Sequence, residues 1–377
     1  MSGKNVLLLA HDGEDFYKAR LPFARFLKER GYEVSVILPQ DKFTDLVSQE
    51  GFYVQHTSLE RNSANPLSLL RSMREVNSFA AEHDISIVHS FKFFPNFINS
   101  FANLFSKRKV VLHIAGLGIA FANGGIKYRI LKFLQQVIFL LEFMRANLVI
   151  IQNPDDYEDF LFKKSFRKKI KVVKGSGVDI TKFSPLSESQ ARTPDSEKAV
   201  FLCTTRLIWE KGIKEMIEAF ESLPSSTMEK VELRIIGAPD TKNPRGITTD
   251  YIERYKTSEL IKFLGRQDNI KEHLHNSHVF ILPSYYREGI PRSILEALAS
   301  GLPVITTDVP GCKLTIVPNE NGILIPPRST QAIKAAVEKI MNEREKWIYM
   351  GAASRRLAVT NFSENVIFEE ILNLYHT

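Results

Sequence analysis

The chain has 377 residues, of which 44% are hydrophobic and 25% charged, and its formal net charge is +7. This composition and length fit a globular protein of about two domains and exclude disordered, collagen-like and coiled-coil proteins. No apolar run reaches the roughly 18 residues of a membrane span, and the first residues contain no secretory signal pattern. Two cysteines are too few for a disulfide framework, so a reducing compartment is expected.

Short apolar runs alternate with helical patterns through the first half of the chain. Such runs are typical of strands buried on both faces of a parallel sheet, because helices cover both faces. The strands predicted here are Asn5–Ala10, Glu33–Pro39, Ile85–His89, Lys109–Ile114 and Leu148–Gln152.

A second alternating series begins after Lys198. Its predicted strands are Ala199–Thr204, Val231–Ile236, His278–Leu282 and Val304–Thr307. Its predicted helices are Lys214–Leu223, Ile294–Ala299 and Thr330–Asn342. The polar segment 184–197 between the two series shows no periodicity and is the best linker candidate. We therefore predict two doubly wound, Rossmann-like α/β domains at 1–183 and 184–360, facing each other across a cleft, with a C-terminal helix at 361–377 that returns to the first domain.

The segment 283–297 joins a predicted strand to a predicted helix. Gly289 allows a ligand to approach the backbone closely, and the amides at the start of the helix favour an anion. Glu288 in the loop and Glu296 about a turn into the helix can face the same ligand, and a carboxylate accepts hydrogen bonds from vicinal sugar hydroxyls. The alternative is that Glu288 caps the helix and Glu296 is a solvated surface residue.

The run from Glu288 to Ile305 closely resembles the donor-site motif of retaining glycosyltransferases of family 4, which have the two-domain GT-B fold. The resemblance covers nearly all of residues 170–330. It extends to Gly175-Ser176-Gly177-Val178-Asp179, Thr205-Arg206-Leu207, Glu210-Lys211-Gly212 and Phe263-Leu264-Gly265.

The resemblance implies a role for each matching residue. Arg206 and Lys211 would neutralise the diphosphate that leaves during transfer, where fixed cations stabilise the developing charge; otherwise they are solvated surface charges. Glu296 would hold the ribose hydroxyls, and Glu288 would lie near the donor sugar and its phosphates. The remaining donor-binding residues implied by the resemblance are Gly13, Arg266, Gly289, Ile290, Pro291 and Arg292.

No metal or other cofactor is expected, because two cations can do this work and no Asp-x-Asp motif occurs in the sequence. The histidines at 273, 275 and 278 are close in sequence, but their spacing does not place them on one helix face. A second carboxylate that could act as a nucleophile on the sugar is also not evident. A same-face mechanism with retention, in which the leaving phosphate takes the proton of the acceptor, needs none.

In the first half, Arg20-Leu21-Pro22 and Gly116-Leu117-Gly118 resemble a bacterial subgroup that adds sugars, often N-acetylgalactosamine, to polyprenyl-diphosphate-linked saccharides. Gly116 and Gly118 are then candidate acceptor residues. The first loop has only Gly13 where many relatives have two glycines, and Ala115 stands where relatives often carry Thr, His or Glu. His113 is a candidate catalytic residue, with a structural role as the alternative, and His89 is a weaker one.

The positive charge is concentrated in the first half. Residues 85–175 carry 15 basic and 5 acidic side chains, and phenylalanines lie among them. This pattern suits an anionic membrane surface, whereas no nucleic-acid-binding module is recognisable. Lys107, Arg108 and Lys109 are the candidate membrane contacts, and we expect a cytoplasmic protein at the inner face of the cell membrane.

The sequence therefore predicts a retaining, metal-independent hexosyltransferase that moves a sugar from a UDP-sugar to an undecaprenyl-diphosphate-linked saccharide. N-acetylgalactosamine is the first choice of sugar. Alternatives are UDP-N-acetylglucosamine or UDP-galactose as donor for O-antigen or capsule, a GT-B phosphorylase or epimerase, and a non-catalytic basic binding protein.

Overall fold

The computed structural model describes residues 4–58, 65–122, 125–186, 198–240, 243 and 245–377. The chain divides into two compact units. Unit 1 comprises Met1–Ser176 and Ile367–Thr377, and unit 2 comprises Gly177–Val366. Each unit is a Rossmann-like α/β domain built on one parallel sheet, which confirms the predicted fold class.

The described part of unit 1 contains a seven-stranded sheet in the order β3-β2-β1-β4-β5-β6-β7, with every neighbouring pair parallel. The strands are β1 Asn5–Leu9, β2 Glu33–Leu38, β3 Tyr53–His56, β4 Ile87–Phe91, β5 Lys109–Ile114, β6 Leu148–Ile151 and β7 Ile170–Val172. The helices are α1 Gly13–Ala19, α2 Leu21–Glu29, α3 Lys42–Gln49, α4 Pro66–Glu82, α5 Phe93–Ala102, α6 Ile119–Ala122, α7 Ile126–Arg145, α8 Pro154–Asp159 and α9 Lys163–Phe166.

Both faces of the unit 1 sheet are covered by apolar clusters. Val6 and Leu8 of β1 belong to a cluster that includes α2, whereas Leu7 and Leu9 belong to a separate cluster that includes α4. Because successive side chains of a strand point to opposite faces, an unbroken apolar run is required wherever both faces are buried. This explains why β1 was recognisable from the sequence.

The described part of unit 2 contains a six-stranded parallel sheet in the order β10-β9-β8-β11-β12-β13. The strands are β8 Ala199–Thr204, β9 Val231–Ile236, β10 Ile261–Phe263, β11 Val279–Leu282, β12 Val304–Thr307 and β13 Gly322–Ile325. The helices are α10 Ile213–Glu221, α11 Ser225–Met228, α12 Thr249–Glu253, α13 Ile270–His275, α14 Arg292–Ala299, α15 Thr330–Asn342 and α16 Trp347–Leu357. The last helix, α17 Glu364–Leu374, begins in unit 2 and continues in unit 1. Short 3₁₀ turns, at Trp209–Lys211 among others, and one π-helical turn, Ala358–Phe362, complete the described part of unit 2.

The unit boundaries differ from those predicted at 183/184 and 360/361. Val178 forms a parallel bridge with Ser363 and exchanges backbone hydrogen bonds with Phe362 and Glu364, so the chain from Gly177 belongs to unit 2. Arg355 donates a 2.9 Å hydrogen bond to the carbonyl of Ile180 in the same unit. The polar segment 184–197 thus does not mark the point where the chain passes from unit 1 to unit 2. Residues 187–197 of this segment lie outside the described residues. The second crossing falls inside α17, whose end belongs to unit 1.

Candidate functional site

The sequence motifs of the second half meet at one edge of the unit 2 sheet. β8 and β11 are neighbouring parallel strands, so their carboxyl ends lie side by side. The segment with Arg206 and Lys211 follows β8, and the loop with Glu288 follows β11. In open α/β sheets this carboxyl edge is where ligands bind.

Lys211 and Glu288 form an ion pair at this edge. The Lys211 ammonium lies 2.5 Å from Oε1 of Glu288, and the two side chains are only 6% and 20% exposed. Gly212 allows this approach, since it has φ of +73° and a Cβ there would lie 2.2 Å from the carbonyl oxygen of Pro283. The ammonium therefore faces a carboxylate in a site that is largely shielded from water.

Three further contacts fix the loop after β11, one of them to the segment after β8. The amide of Tyr285 donates to the Glu210 carbonyl at 2.8 Å. The Ser284 hydroxyl donates to the Glu288 carboxylate at 3.2 Å, and Thr307 donates to the carbonyl of Ser284. Ser284 and Thr307 carry no motif signal, so sequence reasoning did not find them.

Arg206 and Lys211 share an aromatic neighbour. The Arg206 guanidinium lies 6.0 Å and the Lys211 ammonium 5.8 Å from the centre of the Tyr286 ring. Burial raises the pKa of the Tyr286 hydroxyl, and the charge of Arg206 acts in the opposite direction. The two cations predicted to meet a diphosphate are thus brought to the same ring, a second feature that sequence reasoning did not find.

The side chain of Glu210, next to Lys211, is buried and paired. Arg245 donates to Oε1 of Glu210 at 2.6 Å, and the backbone of Arg245 accepts from the amide of Trp209 at 3.1 Å. This contact anchors the segment after β9 beside the Lys211 turn. The role of Glu210 in the motif is therefore to hold the turn.

The loop before α14 is closely packed. Gly311 has φ of +84°, and a Cβ there would lie 1.8 Å from the carbonyl oxygen of Gly289. Ile290 is buried in the core of unit 2, so its backbone rather than its side chain is available to a ligand. Pro291 is the N-cap residue of α14 and makes no capping hydrogen bond from its side chain. The first-turn amides of α14 can therefore serve an anion.

The structure places the two glutamates as the sequence predicts. Glu288 is in the loop and does not cap the helix, and Glu296 lies in the second turn of α14. The carboxylate of Glu296 is 3.8 Å from the guanidinium of Arg292 and is 17% exposed. Neither glutamate is a fully solvated surface residue.

Arg266 lies at the same sheet edge, after the carboxyl end of β10. Gly265 before it has φ of +65° and accepts a 2.9 Å hydrogen bond from the amide of Gly237. β9 separates β10 from β8 in the sheet. Arg266 is thus two strands away from Arg206.

Two buried histidines lie side by side in unit 1. The rings of His89 and His113 stack with centres 5.6 Å apart. Burial, together with the charge of Arg20, lowers the pKa of His89 to about 3, and burial, Arg20 and His89 lower that of His113 well below its usual value. Both imidazoles are therefore neutral at pH 7.

The positions of the two histidines differ from each other. β4 runs two residues further than predicted, so His89 is in the middle of the strand, where its Nδ1 lies 2.6 Å from the Tyr375 hydroxyl. His113 is the penultimate residue of β5, and its Nε2 lies 3.2 Å from the Gln152 side chain. The interpretation of His89 as a strand-end residue was wrong, while His113 does lie near the carboxyl edge.

Glycines follow the carboxyl ends of β1 and β5. Gly116 and Gly118, with φ of +123° and +73°, follow β5, and Gln135 donates a 3.3 Å hydrogen bond to the Leu117 carbonyl between them. A Cβ at Gly13 would lie 2.3 Å from the Asp41 carboxylate. The space beside Gly13 is therefore occupied by this carboxylate.

The basic residues at 107–109 are not near these glycines, because they precede and begin β5. Arg108 donates to the side chains of Asn77 and Asn103, and Lys109 donates to the carbonyl of Tyr375 at 2.8 Å. Burial lowers the pKa of both side chains. Lys107 is the exposed member of this group.

The histidines near β11 have structural partners. His275 lies 2.8 Å from the Ser184 carbonyl, and the Val200 amide donates to His278 at 3.0 Å. Among the residues that the structure describes, no three His, Cys, Asp or Glu side chains are grouped as metal ligands. Metal independence stays a prediction.

Two protein-family models match the chain. Residues 5–153 match the model described as glycosyl transferase 4-like, and residues 187–357 match that of glycosyl transferases group 1. The two models fall on units 1 and 2, respectively.

Two relatives are similar to this chain over almost their whole length. N,N'-diacetylbacillosaminyl-diphospho-undecaprenol alpha-1,3-N-acetylgalactosaminyltransferase of Campylobacter jejuni is 26% identical over 97% of both chains. The capsular polysaccharide biosynthesis glycosyltransferase CapM of Staphylococcus aureus is 24% identical over 93% of this chain and 92% of its own.

Solved structures show the same fold. Anabaena HepE in complex with UDP and glucose superposes with a TM-score of 0.80 at 19% identity, over 98% of this chain and 99% of its own. Sucrose-phosphate synthase from Thermosynechococcus elongatus gives 0.79 at 18% identity, over 99% and 98%. With two Rossmann-like units, the motif residues gathered at the edge of the second sheet and both family models matched, the chain belongs to the family 4 glycosyltransferases of the GT-B fold.

Proposed function

We propose that this glycosyltransferase transfers a sugar, N-acetylgalactosamine as first choice, from a UDP-sugar to an undecaprenyl-diphosphate-linked saccharide, with retention and without a metal ion. The observation that carries the proposal is the largely buried ion pair of Lys211 and Glu288 beside Arg206. The chain that holds this pair matches, over 97% of its length, an N-acetylgalactosaminyltransferase named for a diphospho-undecaprenol acceptor.

Unit 2 binds the donor in this proposal. The diphosphate bears charge that grows as the bond to the sugar breaks, and Arg206 and Lys211 stabilise it most in the transition state. Lys211 is held on the Glu288 carboxylate before the donor arrives, so little reorganisation is needed when the phosphates bind. The carboxylate of Glu296 accepts hydrogen bonds from the ribose hydroxyls, and the first-turn amides of α14 present partial positive charge to the phosphates.

The reaction is a same-face substitution. The acceptor hydroxyl forms a bond to the anomeric carbon as the bond to the diphosphate oxygen breaks, and the hydroxyl proton passes to that leaving oxygen. No enzyme nucleophile is required. His113 is neutral at pH 7, so in this proposal it can accept or donate a hydrogen bond but supplies no positive charge.

A lipid-linked acceptor implies work at a membrane surface, so we place the protein in the cytoplasm as a peripheral protein of the inner face. In the part of the chain that the structure describes, no helix is both long and apolar enough to cross a bilayer. The excess of basic residues over 85–175 supports attachment by charge.

The test measures UDP binding and sugar transfer with the same variants. UDP should raise the melting temperature of the native protein, and Lys211→Ala should reduce kcat by about 100-fold or more, as for removal of one fixed transition-state donor. Glu296→Ala should chiefly weaken UDP binding. Full activity of both variants would sink the assignment of the site, and absence of any UDP effect together with salt-sensitive RNA binding would favour the non-catalytic alternative.

A second candidate donor is UDP-N-acetylglucosamine or UDP-galactose for a capsular polymer. The observation that favours it is the similarity to CapM over 93% of the chain. A panel of UDP-sugars, with hydrolysis or transfer as readout, separates these donors.

A further inference from the structure

Helix α7 exposes an apolar face. Seven apolar side chains recur at the 3.6-residue spacing of one helix face, and each is between 40% and 77% exposed. This apolar face consists of Ile126, Ile130, Phe133, Leu134, Val137, Leu141 and Met144. Contiguous exposed apolar surface of this kind marks an interaction site on a water-soluble protein.

The inner face of α7 carries two polar residues beside the buried Phe139 and Phe143. Gln136 is 2% exposed, with its side chain bonded to Asp159 and Leu161, and Glu142 is fully buried. Within the described residues, neither carboxylate oxygen of Glu142 has a hydrogen-bond partner. An ordinary surface helix presents polar residues to water and apolar residues to the core, so the apolar outer face of α7 is unusual for a face in contact with water.

Two further exposed apolar side chains lie next to the end of the helix. Arg145 donates hydrogen bonds to the carbonyls of Asn103 at 2.6 Å and Ser106 at 3.1 Å. This fixes the turn that carries Leu104 and Phe105, which are 48% and 98% exposed, next to the end of α7. With 20 residues, α7 is about 30 Å long.

Basic side chains flank the apolar face. On a helical projection, Lys127 and Arg129 lie on opposite sides of it, and both are exposed. Lys169 donates to the carbonyls of Phe143 and Met144 at 3.0 and 3.1 Å, which joins the basic segment 163–169 to the end of the helix. Lys164, Arg167 and Lys168 of that segment are exposed.

We propose that the apolar face of α7, with Leu104 and Phe105, lies in the headgroup region of an anionic phospholipid bilayer, parallel to the membrane plane, while the flanking basic residues contact lipid phosphates. An apolar helix face with basic flanks is the pattern of interfacial helices. A second copy of the chain is disfavoured as the occupant, because it would bring two segments with a surplus of ten positive charges together.

This inference rests on the proposed lipid-linked acceptor and adds the surface that meets the membrane. It also moves the docking surface from Lys107, Arg108 and Lys109 to α7. Arg108 and Lys109 have partners inside unit 1.

The experiment measures co-sedimentation with vesicles of phosphatidylglycerol and phosphatidylcholine, and with pure phosphatidylcholine. A triple variant, Phe133→Gln, Val137→Gln and Leu141→Gln, replaces exposed side chains by a good helix former. We expect its affinity for the anionic vesicles to fall at least about tenfold, since three apolar side chains no longer enter the interface. The matched control is Ile348→Gln with Tyr349→Gln on α16, two exposed apolar side chains of unit 2, which should bind as the native chain does.

The contribution of charge to vesicle binding is tested by varying the salt concentration and the lipid composition. Native binding should weaken from 0.1 to 1 M salt, as the Debye length falls from ~10 to ~3 Å, and should be weaker on pure phosphatidylcholine. Unchanged vesicle binding of the triple variant overturns the proposal. A second result would also overturn it: the native chain is a dimer and does not bind vesicles, and the triple variant is a monomer.

A second measurement remains informative if the triple variant does not fold. Cys203 and Cys312 are buried, and burial raises the pKa of both thiols to about 12, so a new surface cysteine can be labelled selectively. A polarity-sensitive dye on Phe133→Cys should shift to the blue with anionic vesicles, and one on Tyr349→Cys should not. Equal shifts, or none, contradict the proposal.

The test is separable from that of the proposed function. The triple variant should lose transfer to a long-chain acceptor in vesicles but retain transfer to a short water-soluble acceptor. If the native chain transfers to neither acceptor yet binds vesicles through α7, the proposed function fails and the docking surface stands.

Discussion

The ammonium of Lys211 and the carboxylate of Glu288 lie 2.5 Å apart, although 77 residues separate them in the chain. The pair depends on the neighbouring strands β8 and β11, and on Gly212, which lets the Lys211 turn approach Pro283. Breaking a buried pair on one side leaves an uncompensated charge, which costs more than the pair contributes.

Removal of one partner should therefore destabilise unit 2. We expect Glu288→Ala to lower the free energy of unfolding by about 2–4 kcal/mol, because Lys211 stays buried without its carboxylate. Adding Lys211→Met should recover part of the loss, and Glu288→Gln, whose amide oxygen still accepts from Lys211 and Ser284, should lose less. Urea unfolding of the native protein, Glu288→Ala, Lys211→Met and the double variant forms a double-mutant cycle; strictly additive losses would show that the pair is not coupled.

Glycines beside the site should differ in their tolerance of alanine. Gly212 and Gly265 both have positive φ, but a Cβ at Gly265 meets no atom within 4 Å, whereas one at Gly212 collides with a backbone carbonyl. Gly265→Ala should cost about 1–2 kcal/mol from backbone strain alone, and Gly212→Ala should cost a further 1–3 kcal/mol. Thermal unfolding measures both, and equal losses would show that the backbone near Pro283 yields freely.

Stability should depend on pH through His89. Its pKa is about 3 in the folded protein and near 6.5 when unfolded, so the unfolded chain binds more protons between these values. The contribution of neutral His89 is complete above pH 6.5 and is lost as the pH falls towards 3, by up to about 1.4 kcal/mol per pH unit. His89→Asn, which cannot titrate, should flatten the curve of unfolding free energy between pH 6.5 and 4. Arg20, His113 and Tyr375 face the ring. Only His113 of these three can change its charge in this range, so a slope identical to the native one would assign the effect to His113.

Lys109 should contribute to the stability of unit 1, whereas Lys107 should not. Lys109 holds the carbonyl of Tyr375 near the C-terminus, so Lys109→Gln should lower the free energy of unfolding by about 1–2 kcal/mol. Lys107→Gln, at an exposed position, should change it by less than about 0.5 kcal/mol. Equal effects in chemical unfolding would contradict the assignment of Lys109.

The central strands of both sheets could be predicted from the sequence because burial on two faces demands apolar runs, as in β1 and β8. The edge strands β3, β7, β10 and β13 were not predicted. β3 is four residues long and partly exposed throughout, so its sequence carries neither an apolar run nor a clean alternation.

The candidate site could be predicted where a motif carries it and not elsewhere. Arg206, Lys211 and Glu288 were found by resemblance, but the direct contact of Lys211 with Glu288 was not, because it depends on which strands are neighbours. The position of Tyr286 between the cations and the bond from Lys109 to Tyr375, 266 residues away, likewise follow from the fold alone.

Purified protein is incubated with UDP-N-acetylgalactosamine and a polyprenyl-diphosphate-linked saccharide without metal. The product is then analysed by its mass and by the anomeric NMR coupling. We expect addition of one N-acetylhexosamine in the α configuration of the donor, and loss of this addition in Lys211→Ala. A β-linked product, a reaction that requires a metal ion, or no transfer from any UDP-sugar would contradict it.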